Sequence, residues 1–221
     1  MDQFLQEMVS NYQKGGWFMH PIALTFGFAV AFVLERFYRL YFQYNIDGTS
    51  FMFEIQKHIL SNDLDGAIRV CNGANKAALP RVIKAGLSRA SRDDQQIQNA
   101  LDAASLEIIP KLERRLNYLA LIANISTLLG LLGTITGLIR SFSAIALADP
   151  AQRQAILSSG ISEAMNCTAF GLITAITAMI FHSVLASKAT GLIEEIDEFG
   201  VKLLDLLSAR KYKHSAEKVS S

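Results

Sequence analysis

Cysteine is scarce in this chain. Two in 221 residues cannot build a disulfide framework. Four prolines and 14 glycines exclude a collagen-like or proline-rich chain, and 51% apolar residues exclude a disordered one. Net charge is nearly absent as well. The 21 basic and 20 acidic residues leave +1, which is not the balance of a nucleic-acid-binding domain. Length alone would allow one or two soluble domains. The charges, however, are missing in blocks.

Gly15–Leu34, Leu116–Ile139 and Ala164–Ser187 contain no Asp, Glu, Lys or Arg and run 20, 24 and 24 residues. As helices they would be roughly 30–36 Å long, enough for a hydrocarbon core of about 30 Å. Helices of a soluble bundle keep a polar face, and these have none. The first stretch reads as a span, not a cleaved leader. Its flank sets one Lys against Asp2 and Glu7, and no small-residue cleavage site precedes Glu35 and Arg36. Basic residues then orient the chain. Eighteen lie in residues 36–115 or after Ser187, whereas only Lys14, Arg140 and Arg153 lie elsewhere. By the positive-inside rule the N-terminus faces outward and the large loop and tail are cytoplasmic.

The expected fold class is all-α: a polytopic membrane protein with three transmembrane helices, two of them extending far into the cytoplasm. Residues 1–14 place Phe4, Leu5, Met8, Val9 and Tyr12 on one face, as in an amphipathic helix on the outer surface. Trp17 suits an interfacial depth. The first transmembrane helix is expected over 15–41 and a helical cytoplasmic loop over 42–115. The second transmembrane helix is expected over 116–142, a short periplasmic loop over 143–159, the third transmembrane helix over 160–187 and a cytoplasmic tail helix over 188–221. Within the loop, Phe51–Leu60, Asp65–Cys71 and Leu79–Ser91 read as helices. Asp93 and Asp94 start a longer one bearing Ile97, Leu101, Ala104, Ile108, Leu112 and Leu116, kinked at Pro110 but running unbroken into the second span. The tail carries a stripe of Leu192, Ile196, Phe199, Leu203 and Leu206, suited to packing on another helix.

The second span is built on small residues. Ala120, Ala123, Thr127, Gly130, Thr134, Gly137 and Ser141 share one helical face, and Gly133 and Gly137 form a GxxxG. Such a face serves close helix packing in lipid or lines a pore, and spacing alone fits both. The third span starts at Glu163, where a carboxylate is either solvated at the boundary or functional. Asn166, Cys167, Thr168, Thr174 and Thr177 follow. No Asp, Lys or Arg occupies the interior of any span. If protons cross here, the titrating group at mid-membrane belongs to another chain. His20, His58, His182 and His214 have no partner at metal-ligand spacing, so no metal or other cofactor is expected. Cys71 and Cys167 read as small packing residues. No Walker loop, GxGxxG or nucleophile elbow is present, and an enzyme is not expected.

Leu128–Gly137, LLGLLGTITG, and Gly160–Ile176, GISEAMNCTAFGLITAI, closely resemble the second- and third-span signatures of the MotA/TolQ/ExbB proton channel family. The run Leu79-Pro80-Arg81-Val82 through Ala85-Gly86-Leu87 is similar to its cytoplasmic segment. Three spans with an outside start match the TolQ/ExbB branch. The resemblance implies a homopentameric ring in the bacterial inner membrane around a dimer of a single-span, Asp-bearing TolR/ExbD-like partner, with ion flow, a proton by resemblance, driving motion. It implies an ion pathway through Thr134, Thr168 and Glu163. The residues themselves add Thr127, Thr174 and Thr177 as further candidate lining and Gly130, Gly133, Gly137 and Gly171 as helix-packing positions. The family usually has proline where this chain has Thr127 and Thr177, so both spans should be straighter and carry two extra hydroxyls. His182-Ser183 replaces a usual Tyr-Asn pair. Two other classes compete: a non-conducting oligomeric membrane scaffold, and a subunit of a solute transporter. The latter should show broken helices or internal repeats.

Overall fold

The computed structural model describes residues 15–219, with side chains through Lys211. The amphipathic helix expected over 1–14 lies outside the described residues. Among them, every regular element is a helix: α1 (Met19–Tyr38), continued by a π-helical turn (Arg39–Gln43), α2 (Gly48–Leu60), α3 (Leu64–Gly73), α4 (Ala78–Leu87), α5 (Asp94–Glu113), α6 (Leu116–Leu147) and α7 (Arg153–Val219).

Three helical runs are long and apolar enough to cross a membrane, within Met19–Leu60, Asp94–Leu147 and Arg153–Lys211. In their apolar windows only 22%, 33% and 28% of residues are buried within the chain. A soluble bundle would hide these stretches. Leu128, Leu131, Ile139, Phe142, Met165 and Ile176 are instead exposed, a surface that calls for lipid or a second chain.

The chain divides into two compact units. The first comprises residues up to Glu35 together with Arg115–Val184. Here α1 and α6 run antiparallel. Phe32 stacks on Tyr118 at 5.9 Å between ring centroids, and Glu35 pairs with Arg115. α6 and α7 are antiparallel too and meet backbone to backbone at glycines. A Cβ on Gly171 would stand 2.7 Å from the Ser126 carbonyl oxygen and 3.0 Å from Gly130 Cα. Small residues permit that approach where apolar attraction between helices is weak. Pro21 lies in the first turn of α1, where its missing N–H breaks no helical bond.

The second unit comprises Arg36–Arg114 and the chain from Leu185. Two of its short helices, α2 and α3, are set by side-chain caps. Asp47 accepts from Ser50 N–H and Asp63 from Gly66 N–H, each meeting an orphan donor of a first turn. Ile55, Ile59, Val82, Ile83, Ile97, Leu101 and Leu112 form the core, closed by Leu192, Ile196, Phe199, Leu203 and Leu207 of α7. The α7 stripe thus ends on Leu207, with Leu206 only half-buried.

The structure departs from the expected helix limits in two places. The long helix does not run unbroken into the second span. It stops at Glu113, Arg114 is extended, and Arg115 takes φ +67° before α6 begins. Pro110 lies inside α5 and cannot bond the carbonyl of Leu106. Arg36, fully buried, donates to the Lys111 carbonyl, one of the four that a helix C-terminus leaves without a helical partner. The loop expected over 143–159 is also shorter. α6 continues to Leu147 and α7 starts at Arg153, leaving 148–152 as the connection. Asp149-Pro150 makes the turn, with Gln152 N–H bonded to the Asp149 carbonyl.

Candidate functional site

Among the polar groups of the first unit, Thr168 lies on the α6–α7 contact with Thr134 at its flank, and Glu163 lies near the Gly15–Gly16 turn. Thr168 is half-buried, and its hydroxyl donates across the contact to the Gly130 carbonyl at 3.2 Å. Gly130 permits this because a Cβ there would already lie 3.3 Å from Thr168 Cα. Thr134 sits one turn along α6 from Gly130 and donates to the Leu131 carbonyl at 2.6 Å. The structure thus brings Thr168 against the backbone of α6, one turn from Thr134.

Glu163 lies elsewhere. Five residues separate it from Thr168, about 140° around a helix. Its carboxylate rests against Gly16. It also lines an open cleft of about 520 Å³ with Arg140, Ser141, Gln152, Ser159 and Gly160. Gly137 packs on Ala164, with a Cβ there 3.3 Å from the Ala164 Cβ. Gly133 faces Cys167, whose Cβ would be 2.7 Å from a Cβ at that glycine.

Thr127 and Thr177 turn their hydroxyls back onto their own helices. Thr127 donates to the Ala123 carbonyl at 3.1 Å and Thr177 to the Ile173 carbonyl at 2.8 Å. Both helices continue through these positions without interruption. Thr174 is buried and bonds the Phe170 carbonyl at 2.9 Å. All five threonines therefore commit their only proton to a backbone carbonyl. Each keeps oxygen lone pairs free to accept.

Sequence reasoning missed one polar pair. Thr25 of α1 and Ser126 of α6 lie 2.9 Å apart, oxygen to oxygen. Thr25 already donates to the Ile22 carbonyl at 2.7 Å, so Ser126 is the donor between them. Ser126 is fully buried, whereas Thr127 beside it is exposed. The small-residue face turned into the first unit is therefore Ala123, Ser126, Gly130, Gly133, Gly137 and Ser141. Thr127 and Thr134 lie at its flank. Among the described residues no cluster of three or more His, Cys, Asp or Glu could hold a metal ion.

Comparison with known proteins gives this arrangement its context. The chain is similar to an ExbB-like protein of Synechocystis sp., at 32% identity over 72% of this chain and 75% of that protein. It is similar to the Tol-Pal system protein TolQ of Haemophilus influenzae, at 35% identity over 45% of each chain. It is similar to the biopolymer transport protein ExbB of Salmonella typhimurium, at 33% identity over 46% of this chain and 43% of that one. Residues 74–198 match the MotA/TolQ/ExbB proton channel family, a segment that takes in Thr127, Thr134, Glu163, Thr168, Thr174 and Thr177. With its three membrane-length helices, the chain is a multi-pass membrane protein and belongs to the MotA/TolQ/ExbB proton channel family.

Proposed function

We propose that the chain is the ion-conducting stator subunit of a motor in the bacterial inner membrane, driven by protons. Its N-terminus is periplasmic and its tail cytoplasmic. Five copies surround a dimer of a TolR/ExbD-like partner with one span and an Asp in it. The observation that carries this reading is the Thr168–Gly130 bond beside Thr134, in spans whose interiors hold hydroxyls but no Asp, Lys or Arg.

The hydrogen-bond directions define the chemistry. Thr134 and Thr168 donate to carbonyls and can still accept. A protonated carboxyl group has the O–H that such an oxygen accepts. An ionised carboxylate does not, and would have to take the hydroxyl proton from its carbonyl. The two threonines therefore favour the neutral form of the partner's Asp, the form that is least costly at mid-membrane. Protonation admits the Asp to the threonine sites, and loss of the proton expels it. That alternation couples ion flow to movement. Each proton supplies about 2.3 kcal/mol per 100 mV, so one sizeable mechanical step uses several.

Thr134→Val and Thr168→Val keep shape and remove the oxygen. With the partner present in proteoliposomes, each should abolish proton flux without loss of assembly. Full flux in both variants refutes the assignment. A non-conducting scaffold would tolerate these changes and Glu163→Ala as well.

A further inference from the structure

The Gly15–Gly16 turn precedes α1 and meets α7 at two points. Cys167 Sγ donates to the Gly15 carbonyl at 2.8 Å, and both residues are buried. Gly16 adopts φ +67°, a left-handed conformation that glycine takes without steric cost. A Cβ on Gly16 would run into the carboxyl group of Glu163. Gly133 of α6 leaves the matching space on the other side. A Cβ there would stand 2.7 Å from the Cys167 Cβ and 3.3 Å from the Phe18 Cβ. The α6 glycine seats Cys167, Cys167 holds Gly15, and the turn so held presents bare backbone to Glu163.

We propose that the Gly15–Gly16 turn is a positioning element for the Glu163 carboxylate, fixing how far that group stands out into the cleft it shares with Arg140 and Ser141. Its importance for ion flow rests on the reading of Glu163 above; the positioning itself does not. Gly16 touches the side chain at residue 163, so its effect depends on the length of that side chain. A turn that mattered only for its backbone conformation would show no such dependence.

The test is the rate at which dicyclohexylcarbodiimide modifies residue 163 in the full chain in membranes, localised by peptide fragmentation. Gly16→Ala pushes the carboxyl group outward and should raise the rate at least about threefold, the size of coupling usual between touching residues. In the Glu163→Asp background the shorter side chain avoids the added methyl, and the same change should move the rate by less than about 1.5-fold. Cys167→Ala frees Gly15 without adding an atom and should also raise the rate. Equal effects of Gly16→Ala in the two backgrounds overturn the proposal. An unchanged rate in Cys167→Ala overturns it too, and that variant decides alone if Gly16→Ala fails to insert. Normal proton flux in Glu163→Ala would instead overturn the ion-pathway reading and leave the positioning coupling intact.

Discussion

Gly171→Ala adds one methyl group where α6 and α7 are closest. Its Cβ would stand 2.7 Å from the Ser126 oxygen and 3.0 Å from Gly130 Cα. Both are backbone atoms, so no side-chain rotation relieves the contact. Ordinary contact begins near 3.4 Å, and the helices must part locally by about 0.7 Å. Thr168 lies one turn away. The same displacement would stretch its 3.2 Å bond to the Gly130 carbonyl to about 3.9 Å, outside hydrogen-bond range. Overpacking costs about 1–3 kcal/mol, and the lost interhelical bond about 0.6–1 kcal/mol. Alanine's helix preference returns up to about 1 kcal/mol. The net expectation is a loss of about 0.6–4 kcal/mol. Gly27→Ala is the matched control in the same unit. Gly27 lies inside α1 with nothing within 4 Å of an added Cβ. That change should stabilise by about 0.5–1 kcal/mol. Trp17, the single tryptophan, reports unfolding of this unit by its fluorescence in detergent titrated with denaturant. Midpoints that move in opposite directions support the reasoning. A Gly171→Ala midpoint equal to that of Gly27→Ala refutes it.

Three further outcomes follow from other contacts. Thr25→Val leaves the buried Ser126 hydroxyl without its acceptor and should cost about 1–2 kcal/mol, with part recovered in the Thr25→Val/Ser126→Val double variant; the same denaturant titration reads both. Cys71 is buried, and desolvation pushes its thiol pKa up to about 12, so at pH 8 iodoacetamide should modify it at least about a hundredfold more slowly in the folded chain than in denaturant. Asp94 accepts from Lys211 Nζ at 2.7 Å and Ser208 Oγ at 2.8 Å, and these bonds hold its pKa below the ordinary 3.8. Its depressed pKa means the tether is fully present above about pH 4 and is lost as pH falls through the folded value. Protection factors of the α7 amides around Leu207, each taken against the intrinsic exchange rate at the same pH, should therefore fall as pH drops below 3.8 through the folded value, and in Asp94→Asn at pH 7; factors unmoved by either would sink the tether.

The three membrane helices were legible because charge is absent from their stretches, and that signal does not depend on partners. Loop helices were legible from apolar spacing, whereas the caps Asp47 and Asp63 emerged only in the structure. The break before α6 was not. Arg115 holds a left-handed conformation usually left to glycine or asparagine, and nothing in its side chain announces it. Asp149-Pro150 was a visible turn signal, but the good helix formers around it allowed α6 and α7 to run longer than expected. In the site, the small residues of α6 were legible as a group, and their rotation was not. One residue turns a helix by about 100°, which is the difference between buried Ser126 and exposed Thr127. The acceptor of Thr168 is a carbonyl, and carbonyls leave no mark in sequence. Gly16 and Glu163 are far apart along the chain, and their contact exists only in the fold.

The committed hydroxyls have a consequence for what the spans exclude. Thr127, Thr134, Thr174 and Thr177 give their protons to their own helices, and Thr168 gives its proton to Gly130. An anion such as chloride is held by donors, and these side chains have none to spare. They add electronegative oxygen to the membrane interior without adding a charge, so insertion into lipid avoids the cost of an ionised group. An acidic lining would repel anions equally well but would bind metal cations. In the pathway proposed above, a threonine lining would deter anions and leave Glu163 and the partner's Asp as the carboxylates that a cation meets.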